Sequence, residues 1–216
     1  MAALSNSNHR LFMAALAMCL PSSSIIVSQE SQRPFECDGL AVYQQLPMVT
    51  VLPETLFQVQ DVLRLCSEHG VPLVPRGAGT SLCAGAMPHA HGVLLVMTKF
   101  DQILHIDQDT ASARVQPGVR NLALSEAAAP LGLYYAPDPS SQIACTIGGN
   151  VAENSGGVHC LKYGLTVNNL LQVTMVTVAG ELVTFGGDGL DEPSMDLLSL
   201  VAGSEGLLGV VVEIKV

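Results

Sequence analysis

The segment at residues 137–157 constrains this chain more than any other feature of its sequence. It reads PDPSSQIACTIGGNVAENSGG, so small residues, hydroxyl groups and paired glycines fill most of its positions. Glycines let another group approach the backbone closely. Because residues 121–161 contain no Lys or Arg, a phosphorylated ligand held here must be bound by backbone N–H groups and neutral side chains. Close packing of a helix on a sheet is the alternative, but packing alone does not require so many hydroxyl and amide groups.

A second glycine-rich segment, VPRGAGTS at residues 74–81, directly follows a predicted strand. Its glycines let the backbone turn successive N–H groups toward one point, and Thr80 and Ser81 add hydroxyl donors. The pattern is typical of a binding nest for an anion such as a diphosphate, and also of a plain glycine-rich turn. The two segments form one site only if the fold brings them together.

Other nucleotide-binding patterns fit the two segments poorly. Neither contains G-x-x-x-x-G-K-[ST], and neither has a lysine that could reach a terminal phosphate, which disfavours an NTPase. The run RGAG at residues 76–79 lacks the third glycine of the dinucleotide fingerprint, and no acidic residue follows about 20 positions on at the end of a second strand. The sequence therefore disfavours a nicotinamide-binding Rossmann domain.

Composition excludes several partners. Nine Lys and Arg stand against nineteen Asp and Glu, which gives a formal charge of -10. Such a field repels nucleic acid and anionic lipid, because both are bound through Lys and Arg. With 49% hydrophobic and 13% charged residues the chain should fold around a core. The six cysteines include no C-x-x-C pair, so a zinc ribbon or an iron–sulfur cluster within this chain is disfavoured, and we expect no metal site.

The apolar run at residues 11–20 lies behind His9 and Arg10. It is too short for a transmembrane segment, which needs about 20 residues. A packed N-terminal helix is the favoured interpretation, with a secretory signal as the alternative. We assign residues 1–24 to this helix and a lead-in.

Hydrophobic periodicity divides the rest of the chain into two lobes. The first lobe, at residues 25–105, has a strand at 48–52, a helix that Gly70 stops, and strands at 71–74 and 93–97. This order predicts a parallel β-α-β arrangement.

The second lobe, at residues 106–216, has a different order of predicted helices and strands. Helices are predicted at about 121–129 and 195–201, a hairpin at 171–185 and a strand from Val210 to the last residue. We therefore predict an α+β fold with two lobes, a small parallel α/β lobe followed by a mixed or antiparallel α+β lobe. Since the sequence ends inside a predicted strand, we expect the chain to be the front piece of a longer protein.

Several motifs together resemble a known family. The two glycine-rich segments, with ECDGL at 36–40, VQPGV at 115–119, KYG at 162–164 and GSEGLLG at 203–209, are similar to the FAD-binding (PCMH-type) region of the vanillyl-alcohol oxidase superfamily. Within that superfamily they most resemble the glycolate-oxidase type of FAD-linked 2-hydroxyacid dehydrogenases. The likeness runs from about residue 25 to the end.

The resemblance implies which residues bind the flavin. Carried over by position, the FAD-binding residues are Pro75, Arg76, Gly77, Ala78, Gly79, Thr80, Ser81, Pro139, Ser140, Thr146, Gly149, Asn150, Ala152, Asn154, Gly156, Gly157 and Val210. Some relatives attach the flavin covalently through a histidine in the first loop, where this chain has Thr80 or nearby small residues. The resemblance therefore implies noncovalent FAD.

The resemblance also implies an activity. In such enzymes a 2-hydroxy acid, of the glycolate or D-lactate type, is oxidised to the 2-oxo acid by hydride transfer to flavin N5. The catalytic residues are unknown in this chain, since the resemblance implies that they lie in a C-terminal cap domain, which we expect to lie outside it. Partner subunits, including an iron–sulfur protein that accepts electrons, and a cytoplasmic location with association to the inner face of the membrane through those partners, are further implications. An FAD-binding module without turnover and an FAD-dependent reductase of the same fold are the alternatives.

A few single residues receive structural interpretations. We expect His159 to be a hydrogen-bonded structural histidine, Glu153 to lie at a helix start, and Tyr134 and Tyr135 to lie in a strand. Cys145 lies in the second segment but has no close basic neighbour in sequence, so reactive-thiol chemistry is disfavoured there.

Overall fold

The computed structural model describes residues 5–188 and 196–216, and the predicted α+β fold is confirmed. The chain begins with helix α1 (Asn6–Cys19), which Ser5 caps by accepting a hydrogen bond from the Asn8 amide. Phe12 and Leu16 on α1 are fully buried. Within the described residues, no helix is long and apolar enough to cross a bilayer.

The first sheet is largely parallel. It contains β1 (Ile25–Ile26), β2 (Val49–Val51), β3 (Leu73–Arg76) and β4 (Val93–Val96), in the spatial order β1-β2-β4-β3. β2, β4 and β3 are parallel, and β1 is antiparallel at the edge. The short helix α2 (Gln29–Gln32) follows β1. The first glycine-rich loop begins at the carboxyl end of β3, which is where ligands of parallel sheets commonly bind.

Helix α3 (Leu56–His69) packs against this sheet. Thr55 caps it in a capping box, and Gly70 ends it at φ +64. The amide of Val71 still bonds to the helix carbonyl of Cys66 at 2.8 Å. The residues that close the helix therefore extend to Val71. For this reason β3 begins at Leu73, two residues later than predicted.

The second sheet is antiparallel throughout. It contains β5 (Ile103–Asp107), β6 (Ser112–Val115), β7 (Gln172–Val176), β8 (Leu182–Gly186) and β9 (Val210–Lys215), in the spatial order β5-β6-β9-β7-β8. β7 and β8 form the predicted hairpin. β9 contributes to both cores, because Val210 and Val212 pack with the first sheet and Ile214 packs with the second.

Four helices accompany the second sheet within the described residues: α4 (Asn121–Ala128), α5 (Ile147–Glu153), α6 (Cys160–Tyr163) and α7 (Leu198–Val201). Leu124 of α4 and Ile147 of α5 are buried in the second core. The start predicted for the last helix, Met195, lies outside the described residues. The lobe boundaries stay a prediction, and β5 spans the predicted division between residues 105 and 106.

The strand predicted at Tyr134 and Tyr135 is wrong. Both residues lie in an irregular segment between α4 and α5. Ser125 of α4 accepts a hydrogen bond from the Tyr135 amide at 3.1 Å and donates to the Tyr135 carbonyl at 3.4 Å. The backbone groups that a strand would share with a neighbouring strand are thus bonded to a helix side chain.

Candidate cofactor site

A cavity of about 290 Å³ lies where the two glycine-rich segments meet. Its size is at the lower end of the range for ligand pockets. The cavity is lined by every predicted residue of the first segment and by several of the second. The predicted residues that line it are Pro75, Arg76, Gly77, Ala78, Gly79, Thr80, Ser81, Thr146, Gly149, Asn150, Ala152 and Val210. The fold therefore brings together two segments that are far apart in sequence.

Thr146 lies where the two segments approach each other most closely. It caps α5, where its hydroxyl accepts a hydrogen bond from the Gly149 amide at 3.3 Å. A Cβ atom on Gly77 of the first loop would lie only 2.4 Å from the same hydroxyl oxygen. Gly77 must therefore lack a side chain for the loop to reach the start of α5.

The paired glycines of α5 differ in what surrounds them. A Cβ on Gly148 would lie 2.5 Å from the Cβ of Pro117, so Gly148 is required for packing against the VQPGV segment. A Cβ on Gly149 would meet only the Thr146 hydroxyl, at 3.2 Å, and would otherwise stand in open space. Because Gly149 lines the cavity, it leaves room for a group that approaches the backbone of α5.

Arg76 holds the first loop from behind. Its side chain is buried and donates from Nη1 to the carbonyls of Cys37 at 2.8 Å and Ala86 at 3.2 Å. Burial lowers the pKa of the guanidinium below its ordinary value. Gly79 has φ +71, and a Cβ there would lie 2.1 Å from Nη2 of Arg76. The guanidinium of Arg76 therefore anchors the first segment to the backbone at Cys37 and Ala86.

The GSEGLLG segment forms a third wall. The Gly203 amide donates to the Val151 carbonyl and the Glu205 amide to the Ala152 carbonyl, each at 2.9 Å, so the segment is bonded to the end of α5. Gly206 has φ +76 and lies against the ring of Pro75. This motif contributes to the family resemblance, but only Val210 beside it was predicted to bind the flavin.

Sequence reasoning missed other lining residues. They are Leu82, Gly85, Ala86, Met97, Pro117, Ser141, Cys145, Gly148, Glu153, Ser155, Met175, Val201, Ser204, Glu205, Gly206, Gly209 and Val211. Those in or next to the quoted motifs could have been found from the motifs themselves. Met97, Met175 and Val201 come from distant parts of the chain, and nothing local in the sequence marks them.

Other predicted residues lie outside the lining: Pro139, Ser140, Asn154, Gly156 and Gly157. The last three have structural roles here. Asn154 ends α5 at φ +49 and accepts a bond from the Val167 amide. A Cβ on Gly156 would lie 2.4 Å from Leu165, and one on Gly157 would lie 2.1 Å from the Asp138 carbonyl oxygen. Their assignment to the flavin stays a prediction.

The position predicted for Glu153 is wrong. It is the last residue of α5 rather than an early one, and its side chain lines the cavity. The Cys83 thiol donates to its carboxylate at 3.2 Å and lies 3.7 Å from the Glu205 carboxylate. The Ser81 hydroxyl lowers the pKa of Cys83, but desolvation and Glu153 outweigh it, and the net pKa is raised. The expectation of no metal site stays a prediction.

His159 has the hydrogen bonds expected of a structural histidine. Its Nδ1 lies 2.6 Å from Oδ2 of Asp138, and its amide donates to Oδ1 at 3.3 Å. The side-chain bond from His159 holds the pKa of Asp138 below its ordinary value. Together with the contact of Gly157, this pair joins the two ends of the second segment.

Comparison with known proteins decides the family. The family model described as "FAD binding domain" matches residues 47–186, which is more than half of the chain. The chain belongs to this FAD-binding family. The resemblance inferred from the motifs is thereby confirmed, and FAD is the cofactor of the family.

Relatives of this FAD-binding domain are much longer than the chain. This chain is 55% identical over 214 residues to the glycolate oxidase subunit GlcD of Escherichia coli (strain K12), and the match covers 99% of this chain and 43% of the relative. It is 37% identical over 192 residues to a D-lactate dehydrogenase of Anaerostipes hadrus, covering 88% of this chain and 40% of the relative. A solved alkyldihydroxyacetonephosphate synthase shares the fold, with a TM-score of 0.82 at 21% identity over all of this chain and 42% of that one.

The donor set of the cavity fits the diphosphate of FAD. The residues of the first segment, which include the hydroxyl-bearing Thr80 and Ser81, and the open backbone at Gly149 line the same space, and such segments supply backbone N–H donors to anions. Arg76 is the only Lys or Arg among the described lining residues, and it donates to backbone carbonyls. A diphosphate bound there would be held mainly by neutral donors, as the absence of Lys and Arg from residues 121–161 indicates.

Proposed function

We propose that this chain is the FAD-binding part of an oxidoreductase that oxidises a 2-hydroxy acid of the glycolate or D-lactate type to the 2-oxo acid. The observation that carries the proposal is the convergence of the two glycine-rich segments on one cavity. The names of the relatives support the substrate class, because they include a glycolate oxidase subunit, a D-lactate dehydrogenase and a D-2-hydroxyglutarate dehydrogenase.

The residues of this chain would bind and orient the cofactor. Backbone N–H groups at residues 77–81 would hold the diphosphate, while Thr146 caps α5 beside Gly77 of that segment. Met97 and Met175 would exclude water from the apolar part of the cavity. When bound, FAD would supply the redox chemistry by accepting a hydride at N5. We place the groups that bind the hydroxy acid and take its proton outside this chain, in a cap domain.

The proposal includes noncovalent attachment and partner subunits. Some relatives of the superfamily carry a histidine where this chain has Thr80 or nearby small residues, which line the cavity and supply no comparable nucleophile. One relative is named a subunit, which supports partners for the whole protein. We propose that an iron–sulfur protein among them accepts the electrons, and that the assembly is cytoplasmic and associated with the inner face of the membrane through these partners.

The test of the proposal is spectroscopic. We expect the purified 216-residue chain, incubated with FAD and desalted, to keep a flavin that absorbs at about 450 nm. Denaturation should release this flavin, because the attachment is noncovalent. A chain that retains no flavin would contradict the FAD-binding proposal.

Turnover requires a second measurement on the loaded chain and on the longer protein. We expect glycolate or D-lactate to bleach the flavin of the longer protein and not that of this chain alone. Flavin without bleaching in both proteins would favour the module without turnover. Bleaching by a reduced nicotinamide cofactor, but not by a hydroxy acid, would favour the reductase.

A further inference from the structure

Asn121, at the start of α4, lies behind the cofactor cavity and bonds to both parts of the second segment. Its side chain is 1% exposed. Its Nδ2 donates to the Pro137 carbonyl at 2.9 Å and to Oδ1 of Asn150 at 2.8 Å. Its backbone amide also donates to the Cys145 carbonyl at 3.0 Å. One buried amide therefore contacts the loop before α5 and α5 itself.

These bonds fix which way each amide points. A backbone carbonyl can only accept a hydrogen bond, so the Asn121 atom that faces Pro137 must be the NH2 group. The same NH2 group faces Asn150, which must therefore present its oxygen to Asn121. The Asn150 NH2 group is left on the opposite side, where it lies 3.4 Å from Sγ of Cys145.

The orientation of the Asn150 amide matters because Asn150 lines the cavity. Asn150 and Cys145 both line the cavity, and Asn150 is 2% exposed. The weak acceptor Sγ uses at most one of the two N–H groups on Nδ2. A neutral donor of fixed direction is thus available in a cavity whose second segment has no Lys or Arg.

The other end of the Asn121 amide is not satisfied. Its Oδ1 is buried and has no hydrogen-bond partner. An unpaired buried oxygen destabilises the folded chain. Stability alone therefore explains asparagine at this position poorly. One of its N–H groups is used on Asn150, which lines the cavity, and the other on the Pro137 carbonyl.

We propose that Asn121 is a positioning residue for the flavin, which acts through Asn150 by turning the Asn150 NH2 group toward an acceptor atom of the cofactor. This inference rests on the proposed function. Asn121 itself does not line the cavity. Its effect on FAD binding must therefore disappear when the Asn150 side chain is removed.

The test is a double-mutant cycle on the dissociation constant of FAD, measured by flavin fluorescence with the full 216-residue chain. We expect Asn121→Ala to raise the dissociation constant about tenfold in the wild-type background and less than about twofold in the Asn150→Ala background. Asn121→Asp, which can only accept and so inverts the Asn150 amide, should weaken binding at least as much as Asn121→Ala.

Ser125→Ala is the matched control, since Ser125 lies one turn further along α4 and bonds to Tyr135 outside the cavity lining. It should leave the dissociation constant unchanged. Urea unfolding of each apo protein shows which variants fold, and the Asn121→Ser variant replaces any that does not. Equal effects of Asn121→Ala in both backgrounds, or no effect in either, would overturn the inference alone. A wild-type chain that binds no FAD would overturn the proposed function as well.

Discussion

The glycines of the two glycine-rich segments are required for different physical reasons. In the first, Gly79 takes a left-handed conformation at φ +71 and Gly77 makes room for Thr146. In the second, atoms of the protein itself already occupy the space where a Cβ of Gly148, Gly156 or Gly157 would lie. Only Gly149 of that segment would direct a side chain into open space. Richness in glycine is therefore a weak indicator of binding, and the space beside each glycine is a better one.

This difference separates stability from binding. A side chain added where the protein already fills the space must displace backbone or neighbouring side chains, and the folded state loses stability. A side chain added beside an open cavity leaves the fold intact and competes with the ligand. Within one segment, a substitution at a closely surrounded glycine should therefore lower the free energy of unfolding. A substitution at a glycine beside the cavity should instead lower the affinity for FAD.

The largest effect on stability is expected for Gly157→Ala. The new methyl would lie 2.1 Å from the Asp138 carbonyl oxygen, and its other near contacts are also atoms of Asp138. Backbone must shift to accommodate it. We expect the free energy of unfolding to fall by about 3 kcal/mol, measured by urea denaturation of the apo chain.

Gly132→Ala is the matched control for that variant. Gly132 has φ +75, but a Cβ there would have nothing within 4 Å. The substitution adds conformational strain without a collision and should cost only about 1 kcal/mol. Equal losses in the two variants would show that collision does not explain Gly157.

The second prediction is that Gly149→Val weakens FAD binding and leaves stability almost unchanged. The side chain would occupy the cavity beside α5, so we expect FAD affinity to fall at least about a hundredfold. Valine has a somewhat higher helix propensity than glycine, so the free energy of unfolding should change by less than about 1 kcal/mol. FAD titration and urea denaturation measure the two quantities.

Ala127→Val supplies the control, because Ala127 is exposed on α4 and does not line the cavity. It introduces the same branched side chain into a helix and should leave FAD affinity unchanged. Undiminished FAD binding by Gly149→Val would show that the open space beside Gly149 is not where the cofactor lies.

Local sequence signals predicted much of this molecule. The β-α-β unit, the hairpin and the two glycine-rich segments follow from periodicity, glycine stops and missing side chains, whereas the junction of those segments depends on the fold. Glu153 was placed wrongly because the paired glycines disfavour a helix at residues 147–153, so that Thr146 was not recognised as the cap of a helix that ends at Glu153. Tyr134 and Tyr135 were placed wrongly because their aromatic pattern is typical of strands, whereas hydrogen bonds with the Ser125 side chain hold the backbone of Tyr135.

Long-range contacts were beyond the reach of the sequence. Arg76 belongs to the first loop in sequence, yet its guanidinium bonds to Cys37, 39 positions away. The role of Asn121 depends on the carbonyl of Pro137 and the amide of Asn150, which only the fold brings together. Residue types predicted the kind of site, and tertiary contacts determine which residues serve it.

The smallest expected effect tests how the second segment is closed at its ends. The hydrogen bond from His159 lowers the pKa of Asp138 below its ordinary value of 3.8. A carboxyl group with a lowered pKa in the folded state stabilises the protein above that ordinary value, and the contribution is lost as the pH falls through the folded pKa. Wild-type stability should therefore drop more steeply than that of Asp138→Asn as the pH falls below about 5.

Comparing the two proteins isolates this pair, because the other carboxyl groups with lowered pKa values, such as Asp107 and Asp188, titrate equally in both. Asp138 and His159 lie near the surface, so the difference in urea midpoint should be small. His159→Ala removes the same hydrogen bond from the other side and should show the same shallower slope. If both variants lose stability as steeply as wild type, the pair does not close the segment, and the contact at Gly157 holds its two ends together without it.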